Sequence, residues 1–284
     1  MEDKLSPCLL VPNVPITIEL PEGQQPPTWT PKFSPNEKLD GKMISLKVGL
    51  ALSLNQISAW VMKKYGPQKI SEIAYKTGIK SYIPVVPSIC VGAAEVRLSE
   101  MVGAYDTYVN GGIHVEPIFV TRIEDKNGNV IAKFKAKNKE ALNQNTAYRM
   151  IDLMKGVVDI GTSTRLRYQY GFRNEIAGKT GTTNDNSDGW FIGMVPNLVT
   201  GIWVGGEERS IRFLSGANGQ GASMALPIWA LYMQKVYRNE KLGISNEPFK
   251  KPALYDGVIL DCEEYNELNK DEDPFYNGID DINY

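Results

Sequence analysis

The sequence is poor in the residues from which metal centres and disulfide-stapled folds are built. It holds one histidine, His114, in 284 residues. That excludes a multi-histidine metal centre and makes any histidine-based triad depend on a single position. The cysteines, Cys8, Cys90 and Cys262, are too few and too scattered for a disulfide framework or a zinc site. They leave the redox compartment open. No run approaches the roughly 20 apolar residues needed to span a bilayer. Met1-Glu2-Asp3-Lys4 offers neither a basic start nor an apolar core, so no signal peptide is visible and the chain taken alone reads as soluble. An excess of one charge is lacking as well: 31 basic residues against 33 acidic ones leave a net charge of −2. Nothing in that balance points to nucleic acid or to a polybasic membrane contact.

What is present is an ordinary globular composition, 42% hydrophobic and 23% charged, long enough for one large domain or two small ones. Residues 1–40 are proline-rich and read as loop, with a short strand around 14–20. Residues 42–65 follow as a helical region: Leu50, Leu54, Ile57 and Val61 recur at helical spacing until Gly66-Pro67 stops the run. Residues 67–77 and 95–109 read as two more helices. Asn127-Gly128, flanked by apolar runs at 119–123 and 130–134, signals a hairpin. A helix over 146–158 precedes strand-like runs at 175–182, 190–195 and 199–204, and a last helix covers 222–237. Trp190, Trp203 and Trp229 fall at apolar positions of these elements and read as core anchors. From Asp256 to Tyr284 there are ten acidic residues and one lysine. The chain therefore divides into a domain over 1–245 and an acidic tail over 246–284, expected to be mobile. Helices, then an antiparallel meander, then a closing helix suggest an α+β domain.

Lys179-Thr180-Gly181-Thr182-Thr183 sits on one of the strand-like runs. It offers a fixed cation, hydroxyls, and a glycine that lets a ligand approach the backbone, which suits a carboxylate-terminated peptide laid beside a strand edge. The same tripeptide occurs at Lys76-Thr77-Gly78, where it ends a helix. There the lysine complements the helix dipole and the glycine supplies the cap. Ser53-Leu54-Asn55 interrupts two helical turns, so a serine and an amide can point into one cleft. Ser34-Pro35-Asn36 repeats that pattern in the proline-rich region and reads as a turn. Gly221-Ala222-Ser223-Met224-Ala225 nearly matches a nucleophile elbow. It lacks the last glycine, and His114 precedes it, so Ser223 reads as the cap of the last helix with Pro227 in the first turn. His114 itself, in a loop-to-strand passage, reads as structural.

Ser-x-x-Lys, a Ser-x-Asn element and Lys-Thr-Gly form the signature set of β-lactamases and penicillin-binding proteins. Ser53-Leu54-Asn55 and Lys179-Thr180-Gly181 supply the second and third in the right order. The wider text resembles the bifunctional class A penicillin-binding proteins. The matching stretches are Ser6-Pro7-Cys8 through Val14-Pro15, Ala177-Gly178 through Thr183, Asp188-Gly189-Trp190-Phe191-Ile192-Gly193, Trp203-Val204-Gly205 and Gly219-Gln220-Gly221-Ala222-Ser223. The resemblance covers residues 5–237. It implies an antiparallel sheet flanked by helices and a serine-type D,D-transpeptidase acting on peptidoglycan stem peptides that end in D-Ala-D-Ala, open to β-lactam antibiotics. By the same resemblance Ser53 would relay a proton, Asn55 would hold the substrate amide, and Lys179, Thr180, Gly181, Thr182 and Thr183 would line the substrate carboxylate site. The Thr182 backbone N–H would be half of the oxyanion hole. No metal or cofactor is implied.

One part of the pattern is missing. No serine in the chain has a lysine three residues later, and Ser45-Leu46-Lys47 misses by one place. The family's Ser-x-x-Lys lies just upstream of the segment matching Ser6-Pro7-Cys8. The expectation is a transpeptidase domain incomplete at its N-terminus, inactive alone and poorly soluble, lacking the family's membrane anchor and glycosyltransferase domain. The whole protein would then work at the periplasmic face of the inner membrane. Two alternatives stay open: a D,D-carboxypeptidase or β-lactamase relative, in which water takes the acyl group, and a non-catalytic binding module.

Overall fold

The computed structural model describes residues 5–23, 25–32 and 38–269. Short strands β1 (Leu10–Pro12), β2 (Ile18–Glu19), β3 (Thr28–Trp29) and β4 (Met43–Ser45) lead into helices α1 (Leu46–Ala51) and α2 (Asn55–Lys76). Helix α3 (Leu98–Val109) is followed by β5 (Ile113–Val115), β6 (Arg122–Glu124), β7 (Val130–Lys133) and β8 (Asn138–Glu140). Helices α4 (Gln144–Asp159) and α5 (Arg165–Tyr168) precede the meander β9 (Ala177–Thr182), β10 (Asp188–Val195) and β11 (Leu198–Gly205). Helices α6 (Gly216–Gly219), α7 (Gly221–Arg238) and α8 (Cys262–Leu268) close the chain. Ser34-Pro35-Asn36, read as a turn, lies outside the described residues.

The meander forms a three-stranded antiparallel sheet in the order β11-β10-β9. Alternation along the central strand β10 sorts its side chains onto two covered faces. Phe191 packs edge-to-face on Trp229 of α7, with ring centroids 5.3 Å apart. Met194, on the other face, joins Ile151 and Met154 of α4 and Tyr105 of α3. Helices on both faces leave β10 almost wholly buried, and β9 and β11 remain as edges. This is the expected α+β arrangement of an antiparallel sheet flanked by helices.

Two helices meet near the site. Helix α1 is started by Ser45, whose side chain accepts from the Val48 N–H at 3.2 Å. The α1–α2 junction is held by Ser53 N–H on Leu50 O and Leu54 N–H on Gly49 O. Helix α2 kinks at Gly66, where φ is +77°. Thr77 ends that helix, with its hydroxyl on Ala74 O at 2.9 Å. The Lys76-Thr77-Gly78 copy is thus a helix end, and the ring of buried His114 packs directly over Gly78.

Four expectations need correction. Cys8 and Cys262, read as too scattered to pair, form a disulfide across 254 residues of sequence. Linear separation does not limit spatial approach once the chain folds back. Residues 246–269, read as part of a mobile tail, are docked on the domain: Phe249 is buried, and Asp256 forms an ion pair with Arg149 at 2.7 Å. Two of the acidic residues that suggested mobility have assigned work, since Asp261 caps α8 through the Glu263 and Glu264 N–H groups. Residues 270–284 lie outside the described residues. Ser223 does not cap α7: Gln220 precedes the helix, Ser223 is its third residue, and its hydroxyl lies 3.4 Å from Arg165 Nη1. Pro227 accordingly falls in the second turn. Of the three tryptophans only Trp229 is a full core anchor. Trp190 is half-buried, and Trp203, 41% exposed, packs against it across the strands.

Candidate active site

The site forms where the free edge of β9 faces the α1–α2 junction. Lys179 Nζ donates to Ser53 Oγ at 2.9 Å, across 126 residues of sequence, and to Thr180 O at 2.9 Å. Burial pushes the Lys179 ammonium down to about 8, because a low-dielectric setting disfavours the charged form. Ser53 sits in the left-handed region with φ +57°. A non-glycine residue persists there only when its surroundings hold it, and such strain gathers at functional positions. Here Leu54, 5% exposed, anchors the junction in the core. Ser53 and Asn55 flank it and turn outward. Asn55 Nδ2 donates to Lys32 O at 3.0 Å, which fastens this wall of the cleft to the proline-rich segment.

Along β9 the hydroxyls of Thr180 and Thr182 alternate with Lys179 and Gly181. Thr180 Oγ1 lies 2.6 Å from Thr162 Oγ1. Thr182 Oγ1 accepts from the Gly221 N–H at 3.0 Å, leaving its own proton to be given to a ligand. That contact needs a glycine, because a methyl group at Gly221 would lie 2.2 Å from the Gly181 carbonyl oxygen. Thr183 is not brought to the cleft. Its hydroxyl accepts from the Asp188 N–H at 2.9 Å and lies 3.0 Å from Asp188 Oδ1, so it closes the β9–β10 connection.

Sequence reasoning missed Thr162. It lies in Gly161-Thr162-Ser163-Thr164, just after α4, and its N–H donates to Ala51 O at 3.0 Å. A methyl group at Gly161 would lie 2.2 Å from that same carbonyl oxygen, so the close approach of this loop to α1 requires glycine. The only signal in the sequence was a cluster of small hydroxylated residues after a helix, which by itself suits a cap equally well. The assembled cleft offers one cation, four hydroxyls (Ser53, Thr162, Thr180 and Thr182) and an unpaired strand edge among the described residues. This set can take a carboxylate, align an extended peptide and pass a proton.

The chain matches the family model for the penicillin binding protein transpeptidase domain over residues 17–205. It is 32% identical over 258 residues to "Penicillin-binding protein 1A" of Neisseria lactamica, covering 87% of this chain and 30% of that protein. It is 33% identical over 224 residues to the Aquifex aeolicus protein of the same name, covering 79% of this chain and 29% of that one. The chain thus spans about 30% of the length of the curated relatives it matches. Among solved structures, Penicillin-Binding Protein 1A from Haemophilus influenzae superposes with a TM-score of 0.73 at 26% identity, over 87% of this chain and 40% of that one. The PonA1 protein from Mycobacterium tuberculosis in complex with penicillin V superposes at 0.72 and 23% identity, over 92% of this chain and 70% of that one. On the family match, and with the sheet, the cleft and the two motifs in place, this chain belongs to the penicillin-binding protein transpeptidase domain family.

Proposed function

We propose that this chain supplies two walls of a serine-type D,D-transpeptidase site, the Ser53-x-Asn55 wall and the Lys179-Thr180-Gly181 wall. The observation that carries the reading is the 2.9 Å contact between Lys179 Nζ and Ser53 Oγ, which joins the two motifs in one cleft. In the reaction, a serine Oγ attacks the penultimate D-Ala carbonyl carbon of a stem peptide, forming a C–O bond and a tetrahedral oxyanion. Collapse breaks the C–N bond and expels terminal D-Ala. Ser53 relays the proton that the leaving amine needs, and Lys179 holds Ser53 in place for that transfer. Asn55 holds the substrate amide. Lys179, Thr180 and Thr182 bind the terminal carboxylate, and the Thr182 backbone N–H provides half of the oxyanion hole. An amine of a neighbouring strand then attacks the acyl-enzyme, restoring the serine and leaving a cross-link.

A β-lactam would enter the same site and stay as an acyl-enzyme. The PonA1 relative captured with penicillin V supports that expectation. The nucleophile would come from sequence outside these 284 residues, because they contain no Ser-x-x-Lys. The isolated chain would then be inert. The Cys8–Cys262 disulfide supports an oxidising setting such as the periplasmic face of the inner membrane. Among the described residues no helix is long and apolar enough to cross a membrane.

Labelling with a fluorescent penicillin tests the reading, on this chain and on a version extended upstream through Ser-x-x-Lys. Labelling of the extended protein alone is the expected outcome. Labelling of the short chain would make one of its own serines the nucleophile and overturn the assignment of Ser53 as relay.

A further inference from the structure

The docked C-terminal segment does more than cover α4. From Phe249 to Asp261 it runs without regular secondary structure along the outside of the domain. It is held at separate points: the Phe249 N–H on Glu175 Oε2, Leu254 O under Asn145 Nδ2, and Asp256 on Arg149. Arg149 is 1% exposed, so this carboxylate meets a buried guanidinium. At the far end Ile259 O accepts from Ser6 Oγ at 2.7 Å, Leu260 O lies 3.4 Å from Lys47 Nζ, and Cys262 is bonded to Cys8. The strap is therefore irregular chain whose one covalent anchor is the disulfide.

That anchor sits beside the root of α1. Pro7 O and Leu9 O accept from the Lys47 and Leu46 N–H groups at 2.8 and 3.1 Å, so the first turn of α1 hangs from the residues flanking Cys8. Lys47 also forms an ion pair with Asp152 of α4 at 2.8 Å. Four residues after Lys47 the same helix ends at Ala51, whose carbonyl takes the Thr162 N–H, and two residues beyond that end Ser53 takes Lys179 Nζ. A helix this short moves as one body. Its N-terminal root and the candidate site are its two ends.

We propose that the Cys8–Cys262 disulfide is a redox-dependent clamp: oxidised, it docks the strap and fixes α1 so that Ser53 meets Lys179; reduced, it lets both go. The chemistry is thiol–disulfide exchange with a dithiol, whether a small molecule or a thiol oxidoreductase. A dithiol thiolate attacks one sulfur, and its second thiol resolves the mixed disulfide. The S–S bond breaks, Cys8 and Cys262 gain two electrons and two protons as thiols, and the reductant leaves as its own disulfide. Once the disulfide opens, the irregular strap regains its chain entropy and frays from Cys262 inward, leaving the buried Arg149 without the Asp256 carboxylate. Cys90 does not compete in the exchange, because burial pushes its thiol up to about 11 and leaves almost no thiolate at neutral pH.

Hydrogen exchange read by mass spectrometry tests this on the chain as it is, oxidised and in dithiothreitol, beside Cys262→Ser and Cys90→Ser. Reduction, or Cys262→Ser, is expected to raise exchange at least tenfold in residues 246–262, in 6–9 and in 50–55, while β10 stays protected. Oxidised Cys90→Ser should match the parent. Faster exchange confined to 246–262 would make the disulfide a staple for the strap alone and sink the coupling to the site. Loss of protection in β10 as well would make it a staple for the whole fold, and no change anywhere would make it idle. No β-lactam enters the measurement, so its outcome is independent of the penicillin-labelling result.

Discussion

Lys76-Thr77-Gly78 and Lys179-Thr180-Gly181 are the same tripeptide put to different uses. In the first, Thr77 turns its hydroxyl back on Ala74 O, and the glycine, with φ +104°, takes the His114 ring on its bare face. Here the motif serves to end a helix. In the second, the extended backbone of an edge strand sends alternate side chains apart. Lys179 reaches Ser53 on another element while Thr180 meets Thr162. The threonine hydroxyl that a helix end turns back on its own backbone is sent to another part of the chain by a strand edge. The chemistry of a short motif is therefore a property of the element that carries it.

Substitutions at equivalent places in the two copies separate these uses. The largest effect is expected from Lys179→Ala in the version extended through Ser-x-x-Lys. Penicillin labelling should fall about 10³-fold or more, as when one member of a catalytic set is removed, with the fold intact by circular dichroism. Unchanged labelling would remove Lys179 from the mechanism. Gly78→Ala comes next and affects stability alone. A methyl group there would lie 2.1 Å from His114 Cε1 on a backbone at positive φ. A loss of about 2–3 kcal/mol is expected in chemical denaturation, with labelling of the folded protein unaltered. Thr180→Val should slow labelling about tenfold, the worth of one hydrogen bond to a charged group, whereas Thr77→Val should leave the rate alone. Equal effects of the two would erase the contrast.

A smaller effect is set by pH. The folded Lys179 titrates at about 8, below the ordinary lysine value of 10.5, so between those values the unfolded chain binds more protons than the folded one. Stability should therefore rise with pH across that window. The cost of burying the ammonium is fully present below about 8. Lys179→Met should flatten the rise in urea melts at pH 7 and pH 10, and a slope that survives the substitution would assign it to another group. The smallest effect is expected for Lys76→Ala, whose loss at a solvated helix end should stay within about 0.5 kcal/mol.

Much of this was legible in the sequence. Helical spacing, the Asn127-Gly128 turn and three closely spaced strand-like runs report local backbone preferences, and each became an element near its expected place, except that Met43–Ser45, read as the start of a helix, pairs with β1 as strand β4. The pairing of Ser53-x-Asn55 with Lys179-Thr180-Gly181 was legible only through resemblance, since periodicity cannot bring together residues 126 positions apart. Thr162 escaped because its role depends on the neighbour it meets, and that neighbour, Thr180, is on a strand 18 residues away. Thr183 was over-read: alternation and a tight connection turned its hydroxyl to Asp188. The acidic tail misled because composition averages over residues, whereas Asp256 and Asp261 each have a specific partner.

What the sequence determined by itself was the local grammar: which runs are helix, which are strand, where glycine and proline end them, and that two parts of a three-part signature are present in order. These follow from interactions between residues a few positions apart, and such interactions are written in the order of the chain. What only the tertiary structure decided was company. It put Lys179 on Ser53, Thr162 on Thr180, Asp256 on the buried Arg149, and Cys8 on Cys262 across 254 residues. Those contacts depend on how helices stack on the two faces of one sheet and on where the chain returns, which no window of neighbouring residues specifies.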